Sequence, residues 1–467
     1  MMRGLRGLAM AAALGLAALA PTDARAQSLA DTLVTAYNTS GLLAQNRALL
    51  RAADEDVALA VADLRPVIDW IMRARRNFSD SRTGGFTTDS QRTTGFVGLS
   101  AQWTLYAGGA NRLGVDIAKE AVLATRNSLV SIEQAVLLRA VRAYMNVIRA
   151  QETVSLRENN VRVLSQELQA ARDRFEVGEV TRTDVALAES RVAEARSNLS
   201  LAQGELITSQ AEYVTAVGQR PGRIAGLPPL PPRPATLDAA VAVAVRNHPD
   251  ILEAQHEVAG AELGIKRAAA AFGPSVTANA EMGRTDNYGN RNYNDDVSLT
   301  LTYRQPVFAG GALPAQVRKV MASRDARRAA LLNTQRDVVQ EVSNAYVSRD
   351  AARASLAATR ERVEAARIAF EGIREEATLG ARTTLDVLVA EQDLLDAEAA
   401  QINAQTEQYI AAYELLAAQG LLTAQNLGLA VQIYDPTVYY NLAKDAPPTL
   451  SKQSRDLNRV LEALGRR

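Results

Sequence analysis

Phe175-Glu-Val-Gly-Glu-Val-Thr-Arg-Thr-Asp184 interrupts two very long stretches of helical character, and Ala377-Thr-Leu-Gly-Ala-Arg-Thr-Thr-Leu-Asp386 repeats the interruption. Gly178 matches Gly380, Thr181 matches Thr383, and Asp184-Val185 matches Asp386-Val387, all at an offset of 202 residues. Glycine after one helix and Thr or Asp opening the next is the chemistry of a helical hairpin: glycine takes the left-handed position past the helix end, and the oxygen side chain caps the helix that follows. Two such turns at one spacing make the chain a tandem repeat, with each copy built around a tip.

Outward from each tip the same parts recur. Leu105-Tyr-Ala-Gly-Gly-Ala110 matches Val307-Phe-Ala-Gly-Gly-Ala312, and Ala143-Tyr144 matches Ala345-Tyr346, again 202 residues apart. From each Gly-Gly pair a helix runs without an obvious breaker to the tip, about 65 residues or roughly 100 Å of helix. After the tips, helices are expected from Thr183 to about Val217 and from Thr384 to about Gln419. Ser28 to Ala62, broken at Asn38-Thr-Ser-Gly41, has its twin in Leu237 to Ala271, broken at Asn247-His-Pro249. Pro66 and Pro274 end these helices, because proline lacks a donor and disfavours helix in the residue before it. Two short helices laid end to end match one long helix, which implies long antiparallel helices with the strands at one end and the tip at the other.

Past each proline the period changes from helical to alternating. Val297, Leu299, Leu301 and Tyr303 alternate with Ser298, Thr300, Thr302 and Arg304, and Val276, Ala278, Ala280 and Met282 with Thr277, Asn279 and Glu281. In the first repeat Ile68, Trp70, Met72 and Ala74 oppose Asp69, Arg73 and Arg75, while Val97, Leu99, Ala101, Trp103 and Leu105 oppose Ser100, Gln102 and Thr104. Each hairpin has one apolar and one polar face. It reads either as a small sheet lying on a helical core or as strands of the roughly 9–11 residues that cross a bilayer when tilted. Four strands cannot close a barrel alone, so the spanning reading requires an oligomer.

Met1–Ala26 reads as a signal peptide, with Arg3 and Arg6 ahead of an apolar run and a small-x-small site at Ala24-Arg-Ala26. Removing Arg3, Arg6, Arg25 and Asp23 from 52 basic and 52 acidic residues leaves a mature charge of −2. That balance argues against a nucleic-acid partner. The chain has no cysteine, which excludes disulfides, thiolate metal sites, a Cys nucleophile and a lipid anchor on Cys. His248 and His256 read as surface residues rather than metal ligands, and no nucleophile triad, phosphate loop or dinucleotide fingerprint is present. No enzyme, cofactor or metal is expected.

These parts organise the chain as signal peptide (1–26), first repeat (27–220, hairpin about 66–106, tip about 175–184), proline-rich linker (221–235), second repeat (236–425, hairpin about 274–308, tip about 376–386) and C-terminal tail (426–467).

The tandem repeat, the paired Ala-Gly-Gly-Ala segments and the two tips resemble the TolC family of outer-membrane export ducts over roughly residues 28–425. The resemblance implies a mainly α fold with a membrane β-barrel: a homotrimer of twelve strands continued by a twelve-helix periplasmic tunnel. It implies localisation to the outer membrane with helices extending into the periplasm. It also implies partners, namely a periplasmic adaptor (membrane fusion protein), an ABC or proton-driven inner-membrane transporter, and outer-membrane lipid. Carried over residue by residue, Arg382 would face Thr183 and Asp184 at the closed entrance and Asp386 would join an acidic constriction. Val177, Gly178, Leu379, Gly380 and Thr383 would form the adaptor-docking tips, and Trp70, Trp103, Leu299, Leu301 and Tyr303 would face lipid. Two positions depart from the pattern: Ala377, where an aromatic often helps the lock, and Val389, where a second acidic residue occurs. The lack of cysteine leans towards the type I protein secretion branch rather than lipidated small-molecule efflux ducts. A general diffusion porin would leave the long helices unexplained, and a periplasmic coiled-coil adaptor would leave the alternating strands unexplained.

Overall fold

A computed structural model describes residues 27–289 and 292–465; the expected signal peptide lies outside the described residues. In chain order the elements are α1 (Leu29–Thr39), α2 (Gly41–Ala62), β1 (Val67–Thr83), β2 (Phe86–Ala107), α3 (Ala110–Glu176), α4 (Arg182–Val217), α5 (Leu237–Asn247), α6 (Pro249–Ala270), β3 (Ser275–Asn287), β4 (Asn292–Arg304), α7 (Ala312–Thr378), α8 (Thr384–Ala418), α9 (Pro436–Ala443) and α10 (Lys452–Gly465). Helices α3 and α7 have 67 residues each, and α4 and α8 have 36 and 35.

Two compact units cut across the repeats. Of the described residues, one comprises those up to Leu43, Glu133–Arg246 and Gln340–Ile433; the other comprises Ala44–Ile132, those of 247–339 and those from Tyr434 onward. In the first, Tyr144 and Tyr213 are fully buried. The Tyr213 hydroxyl lies 2.9 Å from Thr32 Oγ1, and the Tyr144 hydroxyl donates to the Ala225 carbonyl at 2.7 Å, which pins the proline-rich linker to α3. In the second, Leu50, Val57, Val115 and Val122 form an apolar core. There α9 and α10 of the C-terminal tail share a cluster of Tyr439, Ala443 and Leu457, and Tyr439 donates to Glu55 Oε1 at 2.7 Å.

The second unit also holds one antiparallel sheet of order β1-β2-β3-β4, in which the hairpins of the two repeats pair with each other through β2 and β3. Strand pairing lines up the apolar residues as rows across the sheet: Ile68, Ala101, Ala280, Leu299; then Trp70, Leu99, Met282, Val297; then Trp103, Ala278, Leu301. Intervening rows such as Asp69, Ser100, Glu281, Ser298 lie on the other face, where Arg73 bridges to Glu281 at 3.0 Å.

Two strand expectations are corrected. β1 and β2 have 17 and 22 residues rather than 9–11. Residues Asn77–Thr93 continue the ladder although polar apart from Phe78 and Phe86, closed by Gly84-Gly85 at φ 62° and 90°. Positive φ at both positions is the two-residue hairpin turn whose twist matches the strands, and glycine adopts it without strain. The second correction concerns Leu105. A bulge between Thr104 and Tyr106 leaves Leu105 without a partner and puts Tyr106 into the row with Val276 and Tyr303. An extra residue in one strand shifts the facing of all that follow.

Candidate functional site: the two helical tips

Both tips fold by the same local rules. The N–H of Glu179 donates to the Arg174 carbonyl and that of Gly178 to Phe175; in the second tip Ala381 donates to Glu376 and Gly380 to Ala377. This paired closure satisfies carbonyls left open at a helix end and needs a left-handed residue, supplied by Gly178 and Gly380 at φ 81° and 78°.

Three residues past each glycine, Thr181 and Thr383 are the N-caps of α4 and α8, with identical backbone angles (φ −87°, ψ 160°). Thr383 donates its N–H (2.9 Å) and hydroxyl (2.8 Å) to Asp386 Oδ2, and Asp386 N–H donates back to Thr383 Oγ1 (3.2 Å). Thr181 and Asp184 repeat the box at 2.9, 2.7 and 3.3 Å. These bonds hold both carboxyls below the usual carboxylate range, led by the Thr181 hydroxyl at Asp184 and by the Thr383 backbone N–H at Asp386. Each tip therefore presents an ionised carboxylate with Oδ2 committed to the cap. Losing such a cap costs ~1 kcal/mol. Thr383→Ala is expected to raise amide exchange in the first turn of α8 about fivefold, with Thr181→Ala doing the same in α4, checked by hydrogen exchange of the purified protein.

The structure places the remaining tip residues as follows. Thr183 lies inside the first turn of α4 rather than at its cap, because the Thr181–Asp184 box puts the cap at Thr181 and starts the helix at Arg182. Arg382 does not meet Thr183 or Asp184 within the chain: its Nε donates to Glu376 Oε2 at 2.8 Å, inside its own turn. That contact sustains the guanidinium charge, with Asp386 adding to it. Both side chains are about half exposed, so solvent screens the pair and it adds little to the fold. Val177 and Leu379, one residue ahead of each glycine, are 71% and 84% exposed. Ala377 is buried with Phe370, Val387 and Ala390, whereas Phe175 and Val389 are exposed.

Away from the tips, Trp70, Leu299, Leu301 and Tyr303 are all exposed on one sheet face, and Trp103 on that face donates its Nε1–H to the Leu64 carbonyl at 2.9 Å. His248 is not a surface residue; it is buried, and its Nδ1 accepts from Asp250 N–H as the cap of α6. His256 Nδ1 lies 2.8 Å from Glu120 Oε2.

Sequence reasoning passed over Glu391, which is buried in α8. Its signal was legible as an acid on the stripe Val387/Leu388, Glu391, Leu394/Leu395, where helical spacing calls for an apolar side chain.

Comparison with known proteins yields concordant likenesses. The family described as outer membrane efflux protein matches residues 32–219 and 241–421, one stretch in each repeat. The chain is 34% identical over 424 residues to the outer membrane efflux protein BepC of Brucella suis biovar 1 (strain 1330), covering 90% of this chain and 91% of that one. It is 26% identical over 359 residues to the alkaline protease secretion protein AprF of Pseudomonas aeruginosa, covering 73% of each. Among solved structures, the outer-membrane channel OprN superposes with a TM-score of 0.75 at 22% identity, covering 84% of this chain and 89% of that one. VceC of Vibrio cholerae gives 0.73 at 23% identity, covering 84% and 96%.

Proposed function

This chain belongs to the outer membrane efflux protein family, the TolC family of outer-membrane channels, and on that premise we propose that it is the exit duct of a tripartite export system. Three copies close their sheets edge to edge into one twelve-stranded barrel, and the paired long helices of each continue it as a tunnel into the periplasm. The observation that carries this reading is the open four-stranded sheet. Among the described residues β1 and β4 each leave an edge unpaired, and an exposed strand edge invites another strand. The apolar face extends from Val297 to Tyr303, about 20 Å of strand, which falls within the ~25 Å tall apolar band of an outer-membrane barrel once the strand is tilted. No described helix is long and apolar enough to cross a membrane.

The duct performs no chemistry. A periplasmic adaptor docks on the tips, and an ABC or proton-driven inner-membrane transporter supplies the energy. The polar sheet face and the charged helix surfaces line a wet path, which spares polar cargo the penalty of entering hydrocarbon. The relatives' printed roles include both efflux and protease secretion, and the same duct serves either cargo class.

The tips form the entrance, with Asp184 and Asp386 presenting negative charge and Arg382 the cation that ties neighbouring tips in the closed state. Arg382→Ser is expected to raise the single-channel conductance of the purified protein several-fold, while Glu376→Gln, which removes only the contact inside the turn, leaves it within about twofold. Equal effects of the two substitutions would reduce Arg382 to a local brace.

A further inference from the structure

Glu391 is 5% exposed, one and a half turns beyond Asp386 on α8. It lies between two apolar clusters that its own helix joins. Leu388 packs with Leu164 of α3 and with Val192 and Ala195 of α4, while Ala390 and Val387 pack with Phe370 of α7. One carboxyl oxygen, Oε1, accepts from Asn160 Nδ2 of α3 at 3.0 Å. The other, Oε2, is buried without a hydrogen-bond partner. From α3 Glu167 also acts on it, and from α7 Arg374, whose Nε lies 3.3 Å from Glu167 Oε1 and so is shared with that competing acid; α4 contributes no charge that acts on it. A charged oxygen in such a place loses its hydration and gains one amide donor in return, whereas the protonated carboxyl keeps the Asn160 bond at far lower cost.

We propose that Glu391 is a positioning residue for the entrance: protonated, it seats α8 against α3 just inside the tip, and ionised, it works against that seating so that the closed arrangement gives way. The inference rests on the reading of the tips as the entrance of a duct. Burial lifts the carboxyl from 4.5 to about 7, with the Asn160 bond opposing, Glu167 adding and Arg374 opposing. A value above the free one means that the packing of α8 against α3 holds the extra proton. Its stabilisation is therefore complete below 4.5 and is lost as pH rises through about 7. If opening hydrates Glu391, the open-to-closed ratio climbs by up to about tenfold per pH unit across that window. Asp184 and Asp386, held below the usual carboxylate range, titrate beneath it.

The test is conductance of the purified protein in planar bilayers from pH 5.5 to 8.5, wild type beside Glu391→Gln, a neutral side chain of the same size. The wild type is expected to open more than tenfold more often at the alkaline end, with a midpoint near neutrality. Glu391→Gln is expected to stay low and flat throughout. Glu391→Met, neutral and apolar, repeats the flat low profile and stands in if the glutamine protein fails to melt like the wild type at pH 5.5. A conducting wild type whose pH profile superimposes on those of the variants overturns the proposal and leaves the duct standing. Absence of current from the wild type at every pH overturns the duct and, with it, the role of Glu391.

Discussion

Leu299→Arg is expected to destabilise the membrane-inserted protein by about 2–4 kcal/mol, the penalty for a basic side chain near the bilayer midplane on the lipid face of a barrel. Leu299 sits in the middle of the apolar stretch Val297–Tyr303, in a row with Ile68, Ala101 and Ala280, and is 80% exposed in the single chain. Were this face in water, exchanging an exposed leucine for arginine would change stability by no more than about 0.5 kcal/mol. The two environments therefore differ by more than an order of magnitude in the folding equilibrium. Thr300→Arg, one residue away on the opposite face, is the control. It meets the polar row of Asn279 and Gln102 and is expected to be tolerated within about 1 kcal/mol in a lumen. Denaturant unfolding in liposomes of the two variants reads the difference. Equal, small effects would place the sheet on an aqueous surface.

The second large effect lies at the tips. Val177 and Leu379 are large apolar side chains projecting from turns whose folding depends on backbone bonds and glycine, not on them. Joint replacement, Val177→Ser with Leu379→Ser, leaves both helix closures and both capping boxes intact, so the folded state is expected to change by less than about 0.5 kcal/mol. Where such residues anchor a partner, truncation costs about 2 kcal/mol or more each, and two of them reduce docking well over tenfold. Export by cells carrying the double variant is expected to fall at least tenfold while single-channel conductance stays within about twofold of wild type. Loss of both would mean that the pair supports the fold, and retention of export would move the docking site elsewhere.

Much of this architecture is legible in the sequence because it is encoded locally. Each tip needs a glycine, a threonine and an aspartate within ten residues, and the copies agree in backbone angles as they agree in residues. The apolar strand faces are equally plain, since the period of two in Val297–Arg304 depends on nothing distant. What could not be read required a partner element. The polar ladder from Asn77 to Thr93 has no apolar alternation, and its one local sign was Gly84-Gly85. The bulge at Leu105 exists because β3 fixes the register from some 170 residues away. Arg382 was read through a likeness to other ducts as facing the first tip, yet within the chain a carboxylate six residues upstream is nearer. Glu391 acquires its character only when α3, α4 and α7 close around α8.

Single-channel recording of the wild-type protein, purified in detergent and added to one side of a planar bilayer, tests the duct most directly. Discrete, cation-preferring current steps from an assembly of three chains are the predicted result, since four strands per chain require partners to enclose a pore and the tips present carboxylates. Silent bilayers from a protein that remains a soluble monomer would contradict it, and the sheet would then be the covering of a helical scaffold.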